Sequence, residues 1–284
     1  MKIIECPRDA MQSWSHFIPT ERKISYLNTL LRVGFDTLDF GSFVSPKAIP
    51  QMRDTTEVLA GLDTDTATKL LVIVANQRGA ETAVQYEEID YLGFPLSVSE
   101  TFQRRNTRKS IGAAIETVQK IQGLCQENGK QLVVYLSMGF GNPYGDPYNQ
   151  DIISAFIRIL DEMGVRIVQL SDTIGSSTPR LITAIFSEVM PRFPHMEIGA
   201  HFHSTAETAV EKIEAAYQAG CRRFDGAIRG FGGCPMAKDE LTGNIATETL
   251  LRYLSRHEPL NSIQKSVFQD AIAESEQVFS YFSE

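Results

Sequence analysis

Short apolar runs rich in β-branched and aromatic residues recur along the chain at residues 2–6, 37–40, 69–75, 91–98, 131–137, 166–170, 197–203 and 222–228. Their spacing, roughly 20 to 40 residues, suits strands alternating with helices. The segments between them carry a period near 3.6, clearest in residues 21–33, where Ile24, Leu27, Leu30 and Leu31 share one face. Gly34, Gly129, Gly164 and Gly220 each follow a helical run and precede a strand, where a helix closes in the left-handed conformation that glycine adopts cheaply. Thr178-Pro179 supplies an N-cap and a first-turn proline for the sixth helix. Eight such units predict an α/β protein, a closed (β/α)8 TIM barrel over about residues 2–256, with a doubly wound open sheet as the competing arrangement. Beyond it, residues 262–282 read as one more amphipathic helix, with Ile263, Val267, Ile272, Val278 and Phe282, within a C-terminal extension over about 259–284. That helix is expected to cover the barrel or a partner subunit, which leaves room for a homodimer.

Composition adds bounds to this picture. The 284 residues, 43% hydrophobic, suffice for one barrel, and no Pro/Gly/Ser-rich linker or low-complexity tract divides them, so residues 1–284 read as a single catalytic domain. A formal net charge of -8 argues against a general nucleic-acid surface or a polybasic membrane anchor; an anionic ligand must meet a local basic patch. The first residues enter a strand-like run at once, with no secretory or transit pattern, and no apolar run approaches the roughly 18 residues of a membrane span. A cytoplasmic protein is expected. Cys6, Cys125, Cys221 and Cys234 are too far apart for a CxxC pair or a disulfide framework.

The unusual polar residues fall where the strands end, the rim on which barrel enzymes build their sites. They are Arg8-Asp9, Asp39 with Gly41-Ser42, Asn76, Ser99-Glu100, Ser137, Ser171-Asp172, His201-Phe202-His203, and a loop after the eighth strand that holds Cys234. Two apart on a strand, His201 and His203 project to the same side, so both imidazoles can hold one cation. Asp9, on the strand that neighbours the last ones in a closed ring, can add a carboxylate, and Asn244 a neutral oxygen. With oxygen ligands present the choice shifts toward six-coordinate Mg2+ or Mn2+. Singly, Arg8-Asp9 reads as a local ion pair and Asn244 as a helix cap; together they read as a metal centre.

These stretches resemble the 3-hydroxy-3-methylglutaryl-CoA lyase family of metal-dependent barrel lyases, whose relatives include isopropylmalate synthase-like condensing enzymes. The likeness runs from Ile4 to about Leu254 through Cys6-Pro7-Arg8-Asp9, Ser42-Phe43-Val44-Ser45-Pro46-Lys47, Pro50-Gln51-Met52, Asp172-Thr173-Ile174-Gly175, His201-Phe202-His203, Gly230-Phe231-Gly232-Gly233-Cys234-Pro235 and Gly243-Asn244-Ile245-Ala246-Thr247-Glu248. It implies cleavage of 3-hydroxy-3-methylglutaryl-CoA to acetyl-CoA and acetoacetate, as in leucine degradation, with Asp9, His201, His203 and Asn244 as ligands of Mg2+ or Mn2+. It further implies that Arg8 and Cys234 are catalytic, that Asp39 and Asp172 act as acid, base or orienting groups, and that Gln12 and Ser42 lie near the substrate. A base near the metal, Asp39, Asp172 or His201, would take the hydroxyl proton while the Cys234 thiol protonates the enolate carbon. The glycines at 230, 232 and 233 would let the Cys234 loop close over the site.

This chain departs from the family pattern in places. Asp39 stands where a glutamate is usual, Ser204 where an aspartate follows the second histidine, Ala10 and Met11 where glycine and leucine are usual, and residues 238–241 hold one extra residue before Asn244. For the phosphates of an acyl-CoA substrate the chain offers Arg104, Arg105, Arg108 and Lys109, with Asn106 as a further substrate contact; the alternative is a solvated helix start. Three other activities remain to be separated from the lyase: a condensing transferase joining acetyl-CoA to a 2-oxo acid, a CoA-independent metal aldolase, and a barrel kept only for binding.

Overall fold

In chain order the strands are β1 (Lys2–Glu5), β2 (Thr37–Ser42), β3 (Lys69–Ile73), β4 (Ile89–Ser97), β5 (Gln131–Ser137), β6 (Ile167–Asp172), β7 (Glu197–Phe202) and β8 (Arg223–Gly226). The helices are α1 (Pro7–Gln12), α2 (Thr20–Val33), α3 (Thr55–Ala60), α4 (Gln77–Ala83), α5 (Glu100–Thr107), α6 (Ile111–Glu127), α7 (Gln150–Glu162), α8 (Pro179–Arg192), α9 (Ala209–Gln218), α10 (Thr247–Leu254) and α11 (Lys265–Ser280). The structure, a computed structural model, describes residues 1–233 and 242–280. Every strand pairs parallel to the next, and β1 closes the ring on β8 with Lys2 opposite Arg223 and Glu5 opposite Gly226, so the open-sheet alternative is excluded. The turn chemistry is as expected: Gly34, Gly129, Gly164 and Gly220 all have positive φ, and the Thr178 side chain accepts from the Leu181 N–H ahead of Pro179.

The first unit differs from the expectation. Arg8 and Asp9 lie not on a strand end but in α1, because Pro7 fixes its φ at the first helical position and the Cys6 carbonyl accepts from the Ala10 N–H at 3.2 Å. Helix α1 therefore turns both side chains back over the mouth. Among the strand-end polar residues, Asn76 and Ser99 serve as N-caps of α4 and α5, accepting from Gly79 and Phe102 N–H.

Because side chains alternate along a strand, the barrel interior is divided. Leu71, Ile73, Tyr91, Val133, Tyr135 and Ile167 form an apolar cluster on the β3–β6 side, apart from the main core between barrel and helices. Across from it, Asp39, Gln169, His201, Arg223 and Asp225 are all buried polar groups. On the outer side of β1, Glu5 accepts from the Ile228 N–H at 2.8 Å and the Thr247 hydroxyl at 2.5 Å, tying the segment after β8 and the start of α10 to the barrel wall. Burial pushes its carboxyl up to about 8.

Strands β7 and β8 pair only at Ala200 and Phe224, and the segment at residues 243–247 fills the gap between their carboxyl ends. Ser204 N–H donates to Gly243 O, Ile245 N–H to Phe202 O, and Ala227 N–H to Ile245 O. Helix α11 lies along α2, covering this chain's own barrel through Phe268, Ala271, Ser275, Val278 and Phe279. That stripe is rotated from the anticipated one, since Val267 and Ile272 are only half-buried; Phe282 lies outside the described residues. The Phe279 ring lies 4.6 Å from that of Phe231 at a tilt of 40°, and the Phe231 carbonyl meets Asn244 in the site. Among the described residues no helix is long and apolar enough to cross a membrane.

Candidate metal centre

Arg8 anchors the mouth. Its Nε lies 3.0 Å and its Nη2 2.5 Å from Asp39 Oδ2, and its Nη1 donates to Asp9 Oδ1 at 3.0 Å and to Gln12 Oε1 at 2.9 Å. Gln12 Nε2 in turn donates to Asp9 Oδ1 at 2.6 Å, so one turn of α1 links all three. A register shift between Asp39 and Gly41 on β2 marks a bulge beside Asp39, a common device where a strand end re-aims a side chain. The Asp9 carboxyl is held down at about 2: burial opposes its charge, but Arg8, the two histidines and Asn244 outweigh it. At Asp39 burial wins over Arg8, and the carboxyl rises to about 6.

The two histidines face Asp9. Ligand atoms of Asp9, His201 and His203, all buried, lie within 4.8 Å of one another, and the two rings are 5.3 Å apart. Each imidazole is fixed through Nδ1. That of His201 donates to Asp225 Oδ2 at 2.9 Å, and that of His203 to the Thr173 carbonyl at 3.0 Å, because neither acceptor carries a proton to give. In the neutral ring this leaves Nε2 of each as the lone-pair nitrogen. His203 Nε2 is buried without a hydrogen-bond partner among the described residues, the arrangement of an imidazole waiting for a cation. Burial and neighbouring His201 push His203 down to about 4, so its ring is neutral at pH 7. Burial also opposes charge on His201, but its bond to Asp225 reverses the balance and raises it.

Asp172, at the end of β6, accepts through Oδ2 from the Ser177 N–H and hydroxyl and from Lys212 Nζ at 2.8 Å. The Lys212 ammonium, 2% exposed at its side chain, also donates to the carbonyls of Gly175 and His203, which joins the β6 and β7 ends from α9. Asp172 Oδ1 is buried with no hydrogen-bond partner among the described residues. Asn244 does reach the cluster, with its Nδ2 2.7 Å from Asp9 Oδ2 and 2.9 Å from Phe231 O. It presents an N–H to Asp9 rather than the oxygen expected of it. It does not cap α10 either, since Ala246 holds that position. Gly232 backs this corner: a Cβ there would lie 2.5 Å from Asn244 Nδ2 and 3.0 Å from Asp9 Oδ2.

Other expected contacts lie apart. The Ser42 hydroxyl donates to Ile73 O at 3.1 Å within the barrel wall. Asn106, half-buried on α5, has no hydrogen bond or ion pair to the cluster among the described residues. In the basic patch Arg104 pairs with Glu100, Arg105 lies over the Tyr144 ring at 4.6 Å, and Lys109 Nζ donates to the Thr117 hydroxyl at 2.7 Å, leaving Arg108 the least committed cation. Cys234 and residues 238–241 lie outside the described residues. Three contributors escaped the sequence reading: Asp225, Gln169 behind it, and Lys212. A polar residue in the middle of a barrel strand, or a lysine on the inner face of a helix, was the available signal.

The HMGL-like family matches residues 2–278. The chain is 34% identical over 250 residues to hydroxymethylglutaryl-CoA lyase YngG of Bacillus subtilis, spanning 88% of this chain and 83% of that protein. It is 33% identical to the 3-hydroxy-3-isohexenylglutaryl-CoA/hydroxy-methylglutaryl-CoA lyase of Pseudomonas aeruginosa, over 93% of this chain and 88% of that one. Among solved structures, the Bacillus subtilis HMG-CoA lyase superposes with a TM-score of 0.92 at 32% identity, covering 98% of this chain and 93% of that one. An HMG-CoA lyase from Acinetobacter baumannii, in complex with coenzyme A and 3-methylmalate, superposes at 0.91 with 29% identity, covering 99% and 91%.

Proposed function

The chain belongs to the HMGL-like family, and we infer from that membership that it is a carbon–carbon lyase cleaving 3-hydroxy-3-methylglutaryl-CoA to acetyl-CoA and acetoacetate. The observation that carries this reading is the buried trio of Asp9, His201 and His203 in a chain that matches the family over residues 2–278.

Asp9 and the Nε2 atoms of His201 and His203 would hold a divalent cation. Two neutral imidazoles with a carboxylate, and oxygens from substrate, suit Mn2+ or Mg2+, the ions we propose. When bound, the ion supplies Lewis acidity to the hydroxyl and carboxylate oxygens of the substrate and fixes their orientation. Asn244 would join as a ligand by turning its amide to offer Oδ1; as placed, it orients Asp9.

The remaining chemistry falls to the chain. Cleavage requires the tertiary hydroxyl to lose its proton while a thioester enolate departs. Asp39 is engaged by Arg8 through both oxygens, which suits an orienting partner more than a base. Asp172 keeps Oδ1 uncommitted, which supports it as the group that takes the hydroxyl proton. Arg8 spends its Nε and Nη1 hydrogens and one Nη2 hydrogen on Asp39, Asp9 and Gln12, and its second Nη2 hydrogen is left to meet the enolate oxygen. The Cys234 thiol would then protonate the enolate carbon. The phosphates of the acyl-CoA are assigned to Arg108 and its neighbours, Ser42, Gln12 and Asn106 to the rim around the substrate, and the setting to cytoplasmic leucine degradation.

Incubation with 3-hydroxy-3-methylglutaryl-CoA and Mn2+ or Mg2+ should release acetoacetate, and a chelator should abolish it. Free thiol released from acetyl-CoA and a 2-oxo acid, with no acetoacetate from the glutaryl thioester, would replace the lyase reading with the condensing one.

A further inference from the structure

Asp225 on β8 has both carboxylate oxygens committed inside the barrel, Oδ2 to His201 Nδ1 at 2.9 Å and Oδ1 to the side-chain amide of Gln169 on β6. Gln169 and Asp225 are 0% and 4% exposed, so water does not compete for either bond. With one oxygen pinned, a carboxylate cannot rotate; with Nδ1 pinned in turn, an imidazole can offer only Nε2, and only in one plane. The neighbouring strand makes the room. Gly199 on β7 stands opposite Gln169 in the sheet, and a Cβ on it would fall 1.7 Å from Gln169 Oε1, 2.8 Å from Gln169 Cδ and 2.9 Å from Arg223 Cγ. Its φ is not in the left-handed region, so the glycine is required by space alone. Arg223, 1% exposed and held at Nη1 by Glu197 Oε1 at 2.6 Å, completes the setting with a buried positive charge that interacts with Asp225.

We propose that Gln169 is a positioning residue of the metal centre: its amide locks Asp225, Asp225 locks the His201 ring with Nε2 toward Asp9, and Gly199 provides the space the amide occupies. This rests on the reading of Asp9, His201 and His203 as the ligand set.

The test is calorimetric titration of the metal-free protein with Mn2+ for wild type, Gln169→Met, Gln169→Asn, Asp225→Asn, Gly199→Ala and the Gln169→Met/Gly199→Ala double variant, each checked by thermal melting. Loss of the Gln169 amide at that position, or of the Asp225 charge, should weaken Mn2+ binding by about 10- to 100-fold. At saturating Mn2+ the KM for the thioester should stay within about twofold of wild type, because the substrate contacts are untouched. Gly199→Ala should reproduce the weakening, and the double variant should bind no more weakly than Gln169→Met, since both changes remove the same amide. A Gln169→Met dissociation constant for Mn2+ within about twofold of wild type, or two weakenings that multiply in the double variant, would overturn the proposal. The two Gln169 variants decide it whether or not Gly199→Ala folds. Wild-type protein that binds no Mn2+ would instead sink the ligand assignment beneath it.

Discussion

At the residue scale the site divides into what spacing can reveal and what only register can. His201 and His203 were legible because period two puts both on one side of a strand, and Asp9 because a closed ring brings the first strand beside the last. Asp225 and Gln169 were not: their bond joins residues 56 apart in sequence across two strands, and nothing in either run marks the partner. Asn244 was legible as a member of the cluster but not in its orientation, which depends on where Phe231 O and Asp9 Oδ2 lie. Two variants test the roles assigned here. Arg8→Lys keeps the charge and loses the planar fork, so kcat should fall by about 10²- to 10³-fold at saturating Mn2+. Cys234→Ala should leave Mn2+ binding intact while cutting turnover by about 10²- to 10⁴-fold; unchanged turnover would remove the thiol from the mechanism.

At the scale of elements, strand and helix order followed from the alternation of apolar runs with amphipathic ones, and the helix ends from glycines and caps. Helix α1 was missed because six residues are too few for a period to emerge, although Pro7 carried the signal. The segment between β7 and β8 was missed because it is held by backbone bonds that side-chain pattern does not encode. Lys212, on α9, ties the ends of β6 and β7 together. Removing its ammonium leaves the buried Asp172 carboxylate without its cation, so Lys212→Met should destabilise the fold by about 3–5 kcal/mol in chemical denaturation, and adding Asp172→Asn should recover part of the loss. Glu5 gives a pH signature. Its folded value, about 8 against 4.5 for the free carboxyl, means that its protonated form is the one the fold favours. The associated stability is complete below about pH 4.5 and is lost as pH rises through about 8, amounting to a few kcal/mol. Glu5→Gln should flatten the pH dependence of stability across that window; an unchanged profile would show that the carboxyl ionises freely in the folded chain.

The whole molecule supplies what no single unit holds, because the proposed ligands come from the first and seventh units of the barrel. Any ion that binds the folded protein and not the unfolded one raises its stability by mass action, about 2.7 kcal/mol at a hundredfold excess over the dissociation constant. Mn2+ should therefore raise the melting temperature of metal-free protein, and Asp9→Asn or His203→Ala, each compared with its own metal-free melting temperature, should cancel that rise. Helix α11 bears on the same corner from outside: through Phe279 and Phe231 it backs the carbonyl that orients Asn244.

The pairing of β1 with β8 has a consequence in time. Asp9 is synthesised some 190 residues ahead of its partners His201 and His203, about ten seconds or more at ordinary translation speeds. A fragment cut short before β7 contains Asp9 alone of the three proposed ligands and no means of gathering the rest. On the proposed ligand set, competence to capture the ion is thus acquired only once β7 has been made and has closed on the segment that holds Asp9.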